Sequence, residues 1–240
     1  MIVKNNLLNY KDKYIFQETD YFMMSLDSLL LSKFVTLNLR DKKVLDIGTG
    51  NAPIPMFLTF RTKAHIYGVE LQKEMYLLGK ISISENEMKD QITLINDDAK
   101  NLINTFESDF FDVITCNPPY FKYINDNVVN KNEVKFKARH EKCLKLEDVF
   151  KISNYLLKKN GRLAIIHRTE RFIEILDIAK KYNFEIKRIR FVYPNKEKKS
   201  DLVLLEFVKN GKPGLKMLSP LFVYEEQKVY TEEVQNMFGE

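Results

Sequence analysis

The stretch Lys43-Val44-Leu45-Asp46-Ile47-Gly48-Thr49-Gly50-Asn51-Ala52-Pro53 decides the fold of this chain. Its mostly apolar residues 44–47 are typical of a short buried strand, and the glycines that follow predict a tight turn. Residues 54–60 then have the composition of a helix. A strand, a glycine turn and a helix form the first unit of a doubly wound α/β sheet, whose ligand crevice lies at the carboxyl ends of the strands. Glycine suits this turn because a Cβ atom would hold a ligand away from the backbone.

Three types of nucleotide-binding turn contain such glycines, and the spacing separates them. The dinucleotide fingerprint requires a third glycine where this chain has Pro53. A phosphate-binding P-loop requires Gly-Lys-Ser or Gly-Lys-Thr after four further residues, and this sequence is absent. The pattern that is present, Asp46-x-Gly48-x-Gly50, resembles motif I of the class I S-adenosylmethionine-dependent methyltransferases. A glycine turn in some other α/β protein stays open on this pattern alone.

The composition is typical of a soluble globular protein. The chain has 240 residues, 45% of them hydrophobic and 30% charged, which is enough for one sizeable α/β domain with a good core. We expect no membrane span, because no apolar run of about 18 residues is present, and no signal peptide, because Lys4, Asn5 and Asn6 interrupt its apolar core. The two cysteines, Cys116 and Cys143, lack metal-ligand spacing. They favour reduced thiols, no metal and a cytoplasmic location.

Charge is distributed unevenly along the chain. Residues 1–116 contain 13 Lys and Arg against 16 Asp and Glu, whereas residues 117–240 contain 25 against 17. A basic second half favours a polyanionic partner, although a lysine-rich solvated surface explains it equally well. His167, Arg168 and Arg171 are candidates for a phosphate contact or for a helix start with solvated charges. Six further cations form a segment suited to backbone phosphates: Lys187, Arg188, Arg190, Lys196, Lys198 and Lys199.

Apolar periodicity predicts the other elements. Further strands are expected over 65–70, 91–96, 111–116, 161–166, 184–193 and 202–208, and helices over 26–37, 73–88, 146–158 and 170–182. Residues 121–145 are polar and weakly patterned, which is typical of a long loop beside a site. We therefore predict a single domain over 1–240, with a lead-in segment (1–40) and a tail (210–240) packed against it.

Acidic residues follow the second and third predicted strands. Glu70 ends the second strand, 24 residues after Asp46. An acid in this place can accept hydrogen bonds from both ribose hydroxyls of a nucleoside, and a helix cap is the alternative. Asp97 and Asp98 follow the third strand.

The most specific motif is Asn117-Pro118-Pro119-Tyr120, which follows the fourth predicted strand. Two adjacent prolines fix φ twice and stiffen the loop, and they restrict Asn117 to extended backbone that can face the crevice. A turn that merely ends a strand is the alternative. The position of Asn117, 71 residues beyond Asp46 and beside the same crevice, favours a functional loop.

Together these motifs resemble the amino-group methyltransferases that act on adenine N6 and related planar amides. Gln17 and the segments 22–27, 138–141 and 200–206 narrow the resemblance to the tRNA1(Val) adenosine-37 N6-methyltransferases, and it extends over nearly the whole chain. The resemblance implies a doubly wound, Rossmann-like methyltransferase fold with a seven-stranded, mostly parallel sheet and one antiparallel strand. It also implies S-adenosylmethionine as the cofactor and valine tRNA as the substrate.

The resemblance assigns site residues as well. Asp98 is preferred to its rival Asp97 for the adenine amine of the cofactor, because Asp-Ala at the start of a helix matches the family pattern better. Catalytic roles are expected for Asn117, Pro118 and Tyr120. Cofactor contacts are expected from Gln17, Asp27, Asp46, Gly48, Gly50, Asn51, Glu70, Leu71, Asp97, Asp98, Ala99 and Asn117.

The chemistry explains why such an enzyme needs these residues. An exocyclic amine shares its lone pair with the ring and is therefore a poor nucleophile. The Asn117 side-chain oxygen and the Pro118 carbonyl can each accept one of its N–H groups, which favours positive charge on nitrogen in the transition state. Stacking on Tyr120 contributes about 1–3 kcal/mol and offsets part of the few kcal/mol that unstacking a base costs. No nucleophilic side chain is required, since the enzyme positions two reactants.

Other functions share parts of this pattern. Glutamine methyltransferases that act on release factors carry a larger helical domain before motif I, and only about forty residues precede Asp46 here. A DNA adenine methyltransferase needs a target-reading domain, for which there is no room. Guanine-N2 methylation of ribosomal RNA stays open because the motif is shared. A non-catalytic RNA-binding relative is a different class of protein, but it has no need for Glu70, Asn117 and Tyr120 together.

Overall fold

A computed structural model describes residues 1–19, 24–118, 144–226 and 229–239. The strands of this part are β1 (Ile2–Asn6), β2 (Tyr14–Glu18), β3 (Lys43–Ile47), β4 (His65–Glu70), β5 (Ile92–Asn96), β6 (Phe111–Cys116), β7 (Leu157–Arg168), β8 (Phe184–Tyr193), β9 (Leu202–Lys209), β10 (Lys216–Met217), β11 (Leu221–Phe222), β12 (Tyr224–Glu226) and β13 (Val229–Tyr230). Its helices are α1 (Leu26–Phe34), α2 (Pro53–Thr59), α3 (Lys73–Glu85), α4 (Leu102–Thr105), α5 (Leu146–Leu156), α6 (Phe172–Lys181) and α7 (Glu232–Gln235). Single 3-10 turns precede α4 and α6.

Seven long strands of the described chain form the central sheet in the order β8-β9-β7-β6-β3-β4-β5. Strand β9 is antiparallel to both of its neighbours. The other four neighbouring pairs are parallel: β7–β6, β6–β3, β3–β4 and β4–β5. The predicted mostly parallel sheet with one antiparallel strand is confirmed, and its long strands are the seven predicted ones. The short tail strands β10 and β11 run parallel along the outer edge of β8. The carboxyl ends of β3 to β8 therefore meet at one edge of the sheet, here called the carboxyl edge.

Apolar side chains cover both faces of the sheet, because successive residues of a buried strand point to opposite sides. Leu29 of α1 and Phe57 of α2 belong to the layer on one face. Phe111, Phe150 and Phe207 belong to the layer on the other face, where the rings of Phe150 and Phe207 meet edge to face at 5.3 Å. Helices on both faces of a mostly parallel sheet define the doubly wound architecture.

The lead-in segment forms a β-hairpin that the sequence analysis did not predict. Strands β1 and β2 pair in antiparallel fashion, and β2 packs against α3. The Tyr14 N–H donates to Asn86 Oδ1 (2.8 Å), Asn86 Nδ2 donates to the Tyr14 carbonyl (2.6 Å), and the Phe16 N–H donates to Ser82 Oγ (2.9 Å). Side chains in α3 and directly after it, about 70 residues away in sequence, thus form hydrogen bonds with the backbone at the outer edge of β2. No local sequence pattern reveals such partners.

Helix α3 also approaches the motif I turn very closely. A Cβ atom on Gly79 would lie 2.8 Å from Leu94 Cδ1 and 3.3 Å from the Asn51 carbonyl carbon. The absence of a side chain at Gly79 therefore allows α3 to rest directly on β5 and on the turn that follows β3.

Some predictions concern residues outside the described ranges, namely Tyr120 and nearly all of the predicted 121–145 loop. Over the described ranges, no helix has both the length and the apolar character needed to cross a membrane. The same ranges contain no group of three or more His, Cys, Asp or Glu side chains placed to hold a metal ion.

Replacing Asn86 by alanine should lower the free energy of unfolding by about 1–3 kcal/mol, because the partly buried N–H and carbonyl groups of Tyr14 in β2 lose their partners. Asn86 is only 3% exposed, so water does not replace those hydrogen bonds freely. Urea denaturation of Asn86→Ala measures the loss. The exposed neighbour Glu85, changed to alanine, is the matched control and should leave the transition nearly unchanged. Equal midpoints for the two variants would contradict the role assigned to Asn86.

Candidate methyl-donor and amine site

The motif I turn is bound to the end of β4 through its backbone. Gly48 and Gly50 have φ values of +70° and +59°, a left-handed conformation that glycine adopts at low cost. The N–H groups of Gly48 and Thr49 both donate to the Val69 carbonyl oxygen, at 3.0 and 2.9 Å. A Cβ atom on Gly48 would meet no other atom within 4 Å. Bare backbone at Gly48 therefore borders open space, as a ligand-binding turn requires.

Glu70 joins the turn after β3 to the turn after β4. Its Oε2 atom accepts from the Gly50 N–H and its Oε1 atom from the Gln72 N–H, both at 2.8 Å. The residue is 2% exposed. Burial raises the pKa of Glu70, and the backbone N–H groups oppose that rise. Each carboxylate oxygen has a second lone pair, so Glu70 can still accept from hydroxyl groups.

Asp46 is fully buried near the carboxyl end of β3, the end that faces the site. Its Oδ1 atom accepts from Thr115 Oγ1 at 2.7 Å, while Oδ2 has no hydrogen-bond partner among the described residues. Burial raises the pKa of Asp46 to about 7, the Thr115 hydroxyl and more weakly that of Thr49 lower it, and Glu70 raises it slightly. The Thr49 hydroxyl makes no hydrogen bond of normal geometry within the described chain. A buried carboxylate oxygen without a donor suits a cationic ligand group.

A pocket opens where β3, β4 and β5 end, and it brings six predicted residues together. The predicted members are Gly48, Glu70, Leu71, Asp97, Asp98 and Ala99, and the other lining residues are Val69 and Leu144. Leu71 is 43% exposed, so it presents apolar surface beside the Glu70 carboxylate. Val69 and Leu144 were not predicted, because an apolar lining residue has no chemical signature in the sequence. The pocket combines apolar walls with acids, as a nucleoside site does.

Asp97 and Asp98 shape the turn at the end of β5 as well as lining the pocket. Asp97 Oδ1 accepts from the Asp98 N–H at 2.7 Å and from Asn101 Nδ2 at 2.8 Å. Asp98 caps the following 3-10 turn, since its Oδ1 accepts from the Lys100 N–H at 3.0 Å. Both acids are candidate acceptors for a ligand amine, and the preference for Asp98 stays a prediction.

The hairpin borders the motif I turn from the other side. Asn51 Nδ2 donates to the Phe16 carbonyl oxygen at 2.8 Å. The next residue of β2, Gln17, is 3% exposed, and its Oε1 accepts from Asn5 Nδ2 at 3.0 Å. Gln17 Nε2 is buried and has no partner among the described residues. Asp27 lies in the first turn of α1.

Asn117 and Pro118 lie directly beyond β6, next to the motif I turn. The preceding residue, Cys116, is paired with Ile47 of β3. Asn117 Nδ2 donates to Ser28 Oγ of α1 in a long contact of 3.5 Å. In this orientation Nδ2 faces α1, and Oδ1 is the atom of the amide that can accept a hydrogen bond. Pro118 is buried.

Several cations predicted to contact phosphate are bound within the protein instead. Arg188 donates to the Phe34 carbonyl oxygen at 2.8 Å and to Thr36 Oγ1 at 2.6 Å, while Arg190 pairs with Glu233 at 2.7 Å. His167 is fully buried in β7. Burial lowers the pKa of His167 to about 4, so it is neutral near pH 7. Three exposed lysines of the predicted basic segment follow β8: Lys196, Lys198 and Lys199.

Replacing Thr115 by valine should raise the pKa of Asp46 further above 7, because the hydrogen bond from Thr115 lowers that pKa. A carboxyl pKa above its unfolded value destabilises the folded state as pH rises through the interval between the two. The stability deficit of Thr115→Val should therefore grow as the pH rises above about 7. Carboxyl carbon NMR titration and denaturation at several pH values measure both effects. Thr115→Ser keeps the hydroxyl and should behave like the wild type; a variant deficit that is constant with pH would contradict this assignment.

The family model and the similar proteins described below are all methyltransferases. A family model described as a methyltransferase domain matches residues 38–211. The tRNA1(Val) (adenine(37)-N6)-methyltransferase of Flavobacterium psychrophilum is 24% identical over 231 residues, which cover 95% of each chain. The protein of the same name from Tolumonas auensis is 27% identical over 82% of this chain and 80% of its own.

Solved structures share the fold. A predicted O-methyltransferase from Agrobacterium tumefaciens superposes with a TM-score of 0.70 at 19% identity, over 88% of this chain and 95% of its own. TrmK of M. capricolum, solved with S-adenosyl-homocysteine, superposes with a TM-score of 0.55 at 16% identity, over 82% of this chain and 72% of its own. Because the family match spans most of the chain and contains the motif I turn, Glu70 and Asn117, this protein belongs to the methyltransferase-domain family.

Proposed function

We propose that this protein is an S-adenosylmethionine-dependent methyltransferase that methylates N6 of an adenosine in tRNA, namely adenosine-37 of valine tRNA. The observation that carries the proposal is the position of Asn117 directly beyond β6, beside the motif I turn and Asp46. The relatives named for this reaction, which match up to 95% of the chain, support the choice of substrate. A tRNA substrate also agrees with action in the cytoplasm.

S-adenosylmethionine supplies an electrophilic methyl group on a sulfonium centre, and the described residues fit its nucleoside part. Glu70 accepts from the ribose hydroxyls through the lone pairs that Gly50 and Gln72 leave available. Asp98, or its neighbour Asp97, accepts from the adenine amine, and Leu71 provides apolar surface for the ring. Ala99 begins the 3-10 turn, where a backbone N–H has no acceptor within the helix and can donate to a ring nitrogen.

The methionine part carries an ammonium group and a carboxylate, and both find partners around the motif I turn. Asp46 Oδ2 is a buried acceptor without a donor among the described residues, which suits the ammonium. Gln17 Nε2 is a buried donor without an acceptor there, which suits the carboxylate. Asn51 holds Gln17 near the turn through its bond to the Phe16 carbonyl. Asp27, in the first turn of α1, helps to shape the part of the site that holds the methionine end of the cofactor.

The reaction needs a nucleophilic amine and a fixed direction of approach. The Asn117 side-chain oxygen and the Pro118 carbonyl accept the two amine N–H groups, which turns the lone pair toward the methyl group. Tyr120 stacks on the base that has left the RNA stack. Ser28 orients the Asn117 amide through its 3.5 Å contact. After transfer the nitrogen releases one proton to solvent.

The whole chain serves this one catalytic domain. The lead-in segment (1–40) supplies Gln17, Asp27 and Ser28, and it is joined to α3 and the motif I turn by hydrogen bonds. The tail (210–240) extends the sheet next to β8. The basic second half supplies contacts to the tRNA backbone.

Purified enzyme incubated with total tRNA and S-adenosylmethionine should form N6-methyladenosine, detected by mass spectrometry of the digested nucleosides. A valine tRNA transcript should be methylated, and the same transcript with guanosine at position 37 should not. N2-methylguanosine in ribosomal RNA, or methylglutamine in a release factor, would favour the related reactions instead. Failure to bind the cofactor in calorimetry would indicate a non-catalytic RNA-binding relative.

Asn117→Ala should lower turnover by about 10²–10³, the loss typical when one group that stabilises a transition state is removed. Cofactor affinity should stay nearly unchanged, because the cofactor lies against Glu70 and the motif I turn. Single-turnover methylation and calorimetry of the same preparation measure the two quantities. Tyr120→Ala should lower both RNA affinity and rate, since stacking acts before and during transfer.

Glu70→Gln is the matched comparison for Asn117→Ala, since it keeps the shape of the buried side chain and removes its charge. It should weaken cofactor binding and leave the rate at saturating cofactor largely intact. If Asn117→Ala methylates at the wild-type rate, the proposed amine activation is wrong, whatever Glu70→Gln does.

A further inference from the structure

The carboxyl edge of the sheet has an acidic flank and a basic flank. The acidic flank, at the ends of β3, β4 and β5, carries Asp46, Glu70, Asp97 and Asp98. Strand β8 points in the same direction as these strands, because β9 is antiparallel to both β7 and β8. The loop over 194–201, which joins β8 to β9, therefore lies on the same edge at the opposite flank.

Hydrogen bonds join the β8–β9 loop to the turn after β7. Ser200 Oγ lies 2.9 Å from the Val192 carbonyl oxygen and 3.1 Å from Thr169 Oγ1. The Thr169 N–H donates to the Asp201 carbonyl oxygen at 3.1 Å. Since β7 lies next to β6, this connection fixes the loop relative to the strand that carries Asn117.

Two hydrogen bonds within the loop shape its tip, residues 196–199. Asn195 Oδ1 accepts from the N–H groups of Glu197 and Lys198, at 3.1 and 3.0 Å. Such a turn holds the lysine-bearing backbone in one arrangement. Its lysines, Lys196, Lys198 and Lys199, are exposed. With Glu197 and Asp201 included, the loop still carries one net positive charge, and its exposed tip carries two.

The neighbouring cations of the basic segment are already bonded within the protein. Lys187 donates to the Lys212 carbonyl oxygen at 2.9 Å, Arg188 to Thr36 and Phe34 and Arg190 to Ser219 and Glu233. The three loop lysines are therefore the exposed cations of the basic segment, and they lie three strand spacings, or about 15 Å, from β6.

We propose that the lysines of the β8–β9 loop bind phosphates of the RNA backbone a few nucleotides away from the base that Asn117 holds. This inference rests on the proposed function and adds the path of the substrate. The acidic flank repels phosphate and the lysine loop attracts it, so the RNA leaves the site across β7 toward β8. The cofactor occupies the acidic flank, where no phosphate competes with it.

The test compares two triple variants that remove the same charge. The loop variant is Lys196→Gln, Lys198→Gln and Lys199→Gln. The control variant is Lys63→Gln, Lys89→Gln and Lys159→Gln, which alters exposed lysines before β4, before β5 and early in β7, at the opposite edge of the sheet. Cofactor affinity by calorimetry should equal the wild-type value in both variants, which establishes that both are folded.

The loop variant should bind valine tRNA roughly 100-fold more weakly at 0.1 M salt, and its slope of log K against log salt should be shallower by about 2–3. Its KM for tRNA should rise while kcat at saturating tRNA stays near the wild-type value. The control variant should match the wild type in slope and differ little in affinity. Equal affinity and slope for the two variants would overturn the inference. Wild-type enzyme that binds tRNA in this salt-dependent way but forms no N6-methyladenosine would overturn the proposed function alone.

Discussion

The hydrogen bonds from Gly50 and Gln72 to the buried Glu70 carboxylate hold together the two turns from which the site is built. A carboxylate taken out of water is costly unless donors surround it. Here the donors are backbone N–H groups of the turns themselves, so the charge of Glu70 and the shape of the turns depend on each other. Asp46 lies close enough for the negative charge of Glu70 to add slightly to the pKa rise that burial causes at Asp46. The site is therefore prepared for a positively charged ligand before one arrives.

The order of the strands sets the order of the candidate site residues along the carboxyl edge. Strands β4 and β5 lead into the acids that line the pocket, β3 into the glycine turn, β6 into Asn117, and β8 into the lysine loop. Under the proposed function, this arrangement keeps the cofactor and the RNA backbone on opposite flanks of the edge. Asn117, the proposed acceptor for the amine, lies between the two flanks. Parallel strands make this possible because each one delivers its last residue to the same edge.

Much of this arrangement follows from the sequence, because strands and glycine turns have local signatures. The strands over 65–70, 111–116 and 184–193 have the predicted bounds, and the pocket contains Gly48, Glu70, Leu71 and both aspartates as expected. The hairpin escaped prediction because its partners, Asn86 and Ser82, lie about 70 residues away. The role of Thr115 escaped for the same reason. Arg188 was predicted to bind phosphate because the sequence shows its charge. The sequence does not show its hydrogen-bond acceptor Thr36, which is 152 residues away.

The close approach of α3 to the motif I turn has an evolutionary consequence. A Cβ atom at position 79 would lie 2.8 Å from Leu94 Cδ1 and 3.3 Å from the Asn51 carbonyl carbon, so a side chain there requires Leu94 to move and the backbone at Asn51 to shift slightly. A larger residue at 79 is acceptable only if residue 94 shrinks and the glycine turn shifts in the same lineage. Across homologues, substitutions at positions 79 and 94 should therefore occur together. This covariation should be strongest where the length of the glycine turn has changed.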